Sequence, residues 1–180
     1  MELDGAAWRT LPAEVVLKAG LDVGVVVDRP RARRIGVEIR RATALSTALA
    51  ALRHREHSRQ ALADRLGRAG VTAAASTEAL ETLERAGLVD DGRAALARAA
   101  ALAARGAGDL MIRDDLARRG FPAKLVARTI GNLESEQERA ERFVARRGVA
   151  ARTFRGLAAR GFSPEVVEAV VAGTGAQELG

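Results

Sequence analysis

Two pairs of adjacent carboxylates, Asp90-Asp91 and Asp114-Asp115, and two histidines three residues apart, His54 and His57 in "RHREH", are the side chains here that invite acid–base or metal chemistry. Paired carboxylates act as general acid and base when both converge on one substrate atom. Neighbours on a helix point about 100° apart, so neither pair converges by itself. Asp90-Asp91 stands between "ERAGLV" and "GRAALARAAALAARG", a run of strong helix formers. That is the place of a helix N-cap, where one carboxylate accepts from free backbone N–H groups and the other opposes the positive dipole end. Asp114 and Asp115 lie beside Arg113, Arg118 and Arg119, at spacings that pair opposite charges on a solvated helix face. His54 and His57 can share a metal across one helix turn, but there is no further His and no Cys to complete the ligand set. No Walker-type phosphate loop, dinucleotide fingerprint or nucleophile elbow occurs, and "RGAGD" (105–109) joins two helical patterns without a preceding strand. The reading is of a non-enzymatic chain with no catalytic, cofactor-binding or metal residue.

The elements that position these residues are helical from residue 29 onward. Asp28 before "RPRARR" reads as an N-cap with Pro in the first turn. Ile35, Ile39, Ala42, Leu45, Leu49 and Leu52 then form one apolar stripe on a helix running to about Arg53. Ser58 fits the next N-cap. Residues 1–28 differ: "EVVLKAG" and "DVGVVVD" are β-branched runs separated by Gly, which predict one or two strands or an extended hairpin.

Three stretches are alike: "LADRLGRAGVTAAASTEAL" (62–80), "IRDDLARRGFPAKLVARTI" (112–130) and "TFRGLAARGFSPEVVEAVV" (153–171). In each, a Leu (66, 116, 157) stands four residues before a Gly (70, 120, 161), an apolar residue follows, and a second helix begins. Self-similarity at intervals of roughly 40 to 50 residues marks stacked helical units. The expected fold is all-α: an elongated tandem array of three three-helix repeats, 29–87, 88–133 and 134–180 with the C-terminal tail, after a β-rich segment 1–28. Basic residues before a Gly, as in "ERAG" (84–87) and "LARRG" (116–120), suit helix C-termini, where Gly takes the left-handed cap and a cation complements the dipole.

Net charge is +6 and the isoelectric point is near 11.1, which favours an acidic partner. Six Arg fall between Arg29 and Arg41 against Glu38, five between Arg53 and Arg68 against Glu56 and Asp64, and six between Arg142 and Arg160 against no acid. The stretch "LESEQERAE" (133–141) is acidic instead. Basic residues recurring once per unit can line one face and contact a polyanion without reading its sequence. The candidates by charge placement are Arg53, Arg55, Arg59, Arg65, Arg113, Arg118, Arg119, Lys124, Arg146, Arg147, Arg152 and Arg155. Five aromatics (Trp8, Phe121, Phe143, Phe154, Phe162) are too few for a platform that stacks successive bases. Zero Cys excludes disulfides and thiolate zinc sites, no apolar run spans a bilayer, and no secretory signal opens the sequence, so the expected location is the cytoplasm.

Taken in order, Arg55-x-x-Ser58 before a Leu helix, Gly87-Leu88-x-Asp90-Asp91-x-Arg93, Gly106-x-Gly108, Ile112-x-x-x-Leu116 and the closing Gly161-Phe162 resemble the regulatory protein RecX family, over about residues 40 to 172. The family's usual Phe-Ala after Asp-Asp-x-Arg is Ala94-Ala95 here. The resemblance implies a modulator of the RecA recombinase: an elongated array of three-helix repeats that binds in the groove of the RecA filament on single-stranded DNA. It implies inhibition of ATP hydrolysis, strand exchange and coprotease function, hence a part in DNA repair, recombination and the SOS response. The partners expected are the RecA filament and single-stranded DNA, bound without sequence preference, with no membrane, cofactor or small-molecule substrate, by a monomer. The alternative is an autonomous DNA-binding protein built from helix-turn-helix-like units.

Overall fold

The computed structural model describes residues 2–3, 6–8 and 10–177. The chain folds as two compact units, Met1–Val89 and Asp90–Gly180.

The first unit opens with a two-residue antiparallel ladder, β1 (Glu2–Leu3) and β2 (Ala6–Ala7). Four helices follow: α1 (Ala13–Lys18), α2 (Arg29–Leu52), α3 (Arg59–Arg68) and α4 (Ala73–Arg85). Here the structure corrects the expectation of a β-rich segment. "EVVLKAG" is mostly helix α1, entered at Pro12 with φ −57°, carrying Glu14 in its first turn and Lys18 in its last. Burial of Val15 in the unit's core overrides the β preference of its Val-Val pair, because strand preference is mainly a matter of what the side chain packs on. "DVGVVVD" forms no regular element; Gly24 takes φ +82° and Val23 and Val26 face solvent.

Helix α2 starts where the sequence places it, with the Asp28 carboxylate accepting from Arg31 N–H at 2.8 Å. Its buried face keeps Ile35 and Ala42 of the expected stripe and is rotated from the Leu positions. Ala44, Ala48 and Ala51 enter the core with Ala42 and Ile35, while Leu45 and Leu52 lie at its edge and Leu49 is exposed. Small side chains let α2 approach α4 closely, and the Leu side chains that fill this core come from the partner helices: Leu62 and Leu66 of α3, Leu80 and Leu83 of α4.

The second unit holds α5 (Asp91–Ala104), α6 (Asp109–Arg118), α7 (Ala123–Gly131), α8 (Glu136–Arg147), α9 (Ala151–Ala159) and α10 (Pro164–Gln177). Helices α5, α6 and α7 pack on one another around Ala95, Ala99, Ile112, Leu116, Phe121 and Val126. Helices α8, α9 and α10 pack around Ala140, Phe143, Val144, Leu157, Phe162 and Val170. Ala94, the first residue after Asp-Asp-x-Arg, is buried in this α5–α7 cluster.

Two turns lock these groups together. The α5–α6 turn "RGAGD" lies backbone to backbone against the α9–α10 turn: Gly108 N–H donates to Arg160 C=O at 2.9 Å and Leu110 N–H to Gly161 C=O at 3.0 Å. A Cβ on Gly108 would fall 2.2 Å from the Phe162 nitrogen, and one on Gly161, which has φ +76°, 2.5 Å from the Met111 nitrogen. Only glycine allows that approach. Side chains of α8 close the joint. Arg139, 3% exposed, donates to Ala107 C=O at 2.6 Å and Glu134 C=O at 3.1 Å and pairs with Asp109. The Glu136 carboxylate accepts from Asp109 N–H at 2.6 Å and Ser163 N–H at 3.3 Å. Every member of this buried polar network has a partner, as burial of a guanidinium requires.

Candidate polyanion-binding surface

The carboxylates first suspected of chemistry are engaged in structure. Asp90 caps α5 by accepting from Arg93 N–H at 3.0 Å, and that bond holds its carboxyl below the ordinary range. Asp114 pairs with Arg118 one turn on, at 3.1 Å, on an exposed face. Asp115 does more than the local pairing expected of it. It accepts two bonds at 2.8 Å from Arg98 of α5 and one at 2.7 Å from Arg119, a bidentate clasp across the α5–α6 interface. The Arg98 guanidinium, seconded by Arg119 and opposed by partial burial, holds the Asp115 carboxyl well below the carboxylate range. His54 lies in the turn after α2, and among the described residues no group of three or more His, Cys, Asp or Glu is gathered as a metal cage.

The same sorting divides the basic residues. Arg59 pairs with Glu84 at 2.8 Å, Arg118 with Asp114 and Arg119 with Asp115. Other guanidiniums are also spoken for. Arg41 is held between Glu78 at 2.6 Å and Glu38 at 2.5 Å, contacts that raise its pKa, and Arg142 grips Glu134 through two bonds, which likewise raises the pKa of Arg142 and lowers that of Glu134. Arg53, Arg55, Arg65, Arg113, Lys124, Arg146, Arg147, Arg152 and Arg155 are exposed, with no carboxylate partner among the described residues.

In the first unit Arg53 caps α2, Arg55 sits in the turn that follows, and Arg65 occupies the last turn of α3. Arg113 and Lys124 are carried by α6 and α7 of the second unit. A sharper gathering occurs where α6, α8 and α9 meet. An open groove of about 700 Å³ is lined by Met111, Phe143, Arg147, Arg152, Thr153, Gly156, Ala159 and Arg160. Arg147 and Arg160 place their guanidinium carbons 5.2 and 5.3 Å from the Phe143 ring centroid, in cation–π range. Arg160 also donates to Arg105 C=O at 3.1 Å, which anchors it at the α5–α6 turn. The lining contains no carboxylate.

Charge counting along the sequence finds Arg147 and Arg152 but passes over Arg160, whose place before Gly161 reads as a helix-end cation. The Phe143 floor is likewise invisible without the fold. One missed signal was legible: Ser135 and Glu138, within the acidic stretch 133–141, form a reciprocal capping box at the start of α8.

No family model matches the sequence. Among solved structures, the chain is similar to a regulatory protein RecX, with a TM-score of 0.72 at 20% identity over 94% of this chain and 90% of that one. It is also similar to RecX from Lactobacillus salivarius, with a TM-score of 0.63 at 16% identity over 74% of this chain and 95% of that one. The chain therefore has the fold of RecX regulatory proteins, the family its sequence motifs resemble.

Proposed function

We propose that this chain is a RecX-type regulator of the RecA recombinase, binding the RecA filament on single-stranded DNA and inhibiting it, and so acting in DNA repair and recombination. The observation that carries the proposal is a RecX fold spanning 94% of the chain, together with motifs in a fixed order across residues 40 to 172 that resemble the same family. The three helical groups α2–α4, α5–α7 and α8–α10 each enclose their own apolar cluster, which supports three tandem repeats with bounds near 29–87, 88–133 and 134–180. Action by binding suits the surface. The carboxylate pairs serve as caps and ion pairs, while unpaired arginines face outward and favour a polyanionic partner. The chain acts as a cytoplasmic monomer in this reading, and no helix among the described residues is long and apolar enough to cross a membrane.

The test is RecA-catalysed ATP hydrolysis on single-stranded DNA with the protein titrated in. A dose-dependent fall in rate is expected; an unchanged rate across a wide concentration range removes the proposal. Tight, sequence-selective binding to duplex DNA without RecA would point instead to an autonomous DNA-binding protein.

A further inference from the structure

We propose that the leader of the first unit, from α1 to the first turns of α2, is a peripheral docking site for an anionic lipid bilayer. Exposed aliphatic side chains enter the headgroup layer, and the arginines that open α2 contact its negative charge. The inference stands apart from the filament reading and uses none of the candidate residues assigned to it.

Among the described residues the most exposed large apolar side chains are Leu17, Val23 and Val26, at 80%, 99% and 77%, and all three fall in the one stretch 17–26. Single exposed aliphatics are ordinary, but a concentration of them marks a contact surface. They are not outside for want of a core. Val15 and Ala19 of the same short helix are buried, and Leu17 stands about 200° around the helix from Val15, so the leader docks on its unit with Leu17 turned outward. Val23 is held out by a turn. The Asp22 carboxylate accepts from Val23 N–H at 2.7 Å, Val25 N–H donates to Asp22 C=O at 3.3 Å, and Gly24 takes φ +82°.

The same loop is tied to the start of α2, where the Arg31 guanidinium donates to Val26 C=O at 2.8 Å. Arg29, Arg33 and Arg34, from the same two turns, are exposed and have no carboxylate partner among the described residues. The nearby acids are engaged locally, Asp22 in its turn and Asp28 as the α2 cap. Arginines crowded at the positive end of a helix dipole, with no acid in the first turn, repel one another and the dipole. An anionic surface relieves both conflicts.

Aliphatic groups and cations side by side select the partner. A nucleic acid strand meets the charge, but residues 11–35 contain no aromatic ring on which its bases could stack. The acidic stretch 133–141 of a second copy is already engaged: Glu134 grips Arg142, Glu136 accepts from Asp109 and Ser163 N–H, Glu138 closes a capping box and Glu141 accepts from Gln137. An anionic bilayer meets both needs, with an acyl boundary for the aliphatics and phosphate for the guanidiniums. Such contact lies within the interface and needs no helix long enough to cross.

The experiment is sedimentation of the full chain with vesicles of phosphatidylcholine alone and of equal parts phosphatidylcholine and phosphatidylglycerol. The parent is compared with Val23→Ser/Val26→Ser, with Arg33→Gln/Arg34→Gln, and with Arg85→Gln/Arg128→Gln, a control of equal charge change at the exposed ends of α4 and α7. Arg31 is left intact because it holds the loop to α2, and circular dichroism confirms that each protein is folded. The parent binds the anionic vesicles and not the neutral ones. Each leader variant loses about tenfold or more in affinity, and the control changes it by less than about threefold. The chain has no Cys, so Val23→Cys carries a single nitrobenzoxadiazole label, whose emission shifts to the blue on anionic vesicles. No binding by the parent, or equal binding to both kinds of vesicle, overturns the proposal. Full binding by Val23→Ser/Val26→Ser or an unshifted label also overturns it, by reducing the contact to charge alone. Full binding by Arg33→Gln/Arg34→Gln, or equal loss in the control, removes the α2 arginines from the site and refutes it as well.

Discussion

Replacing Gly108 with Ala isolates the interlocked turns that hold α5–α7 to α8–α10. Gly108 has φ −81° and ψ 171°, a conformation alanine adopts freely, so backbone preference costs nothing. The added methyl, however, would fall 2.2 Å from the Phe162 nitrogen and 2.3 Å from both the carbonyl carbon and oxygen of Gly161. These are backbone atoms, which cannot swing aside as a side-chain end does, so the turns must separate. Overpacking costs about 1–3 kcal/mol, and separation weakens the Gly108–Arg160 and Leu110–Gly161 hydrogen bonds, at roughly 1 kcal/mol each. The sum, about 3–5 kcal/mol, is a large part of the roughly 5–15 kcal/mol that keeps a domain folded. In urea, with a slope near 2 kcal/mol per molar, the midpoint for the second unit falls by roughly 2 M. Gly173→Ala is the matched control: it lies within α10 with nothing within 4 Å, and gains up to about 1 kcal/mol of helix preference. Circular dichroism during urea titration reads both. A Gly108→Ala protein with the parent's midpoint would refute the close-approach argument.

Asp115→Asn removes a clasp whose carboxylate side chain is only 16% exposed, and is expected to cost about 1–3 kcal/mol, whereas Asp114→Asn, on the surface, changes stability by less than about 1 kcal/mol. Because the folded Asp115 carboxyl lies below its ordinary value of 3.8, protonation favours unfolding; the stabilisation is full above about pH 5 and is lost as pH falls through 4 and below. Stability measured between pH 7 and pH 3 should therefore fall less in Asp115→Asn than in the parent. Leu66, Leu116 and Leu157, all fully buried at matching places, should each cost about 2–5 kcal/mol as Ala. By denaturant titration with hydrogen exchange, Leu66→Ala should weaken the first unit, and the other two the second.

What the sequence made legible was local: caps, periodicity and turns. Asp28 and Ser58 are N-caps as read, and of the Asp90-Asp91 pair it is Asp90 that caps, since a short oxygen-bearing side chain before a helix former meets its own backbone N–H groups wherever the helix goes. The Gly after each matched Leu has φ near +77°, because the chain must turn there. Readings that depended on what lies across the interface fared worse. Of the α2 stripe, Ile35 and Ala42 are buried as expected, but close packing on α4 selects Ala44, Ala48 and Ala51 over Leu45, Leu49 and Leu52, and the Val-rich run that reads as a strand is helix α1, which has the rest of its unit to pack on. Charge placement finds candidate cations, but three of the eleven arginines, Arg59, Arg118 and Arg119, pair with nearby acids. Arg160 and Phe143 become part of a site only when α6, α8 and α9 meet.

Retention on an immobilised single-stranded oligonucleotide, bare or coated with RecA in the presence of a non-hydrolysable ATP analogue, tests the central claim most directly. The expected result is markedly greater retention on the RecA-coated strand, weakened but not abolished by salt. Equal retention on the two surfaces, or none on the coated one, would contradict a filament-binding regulator.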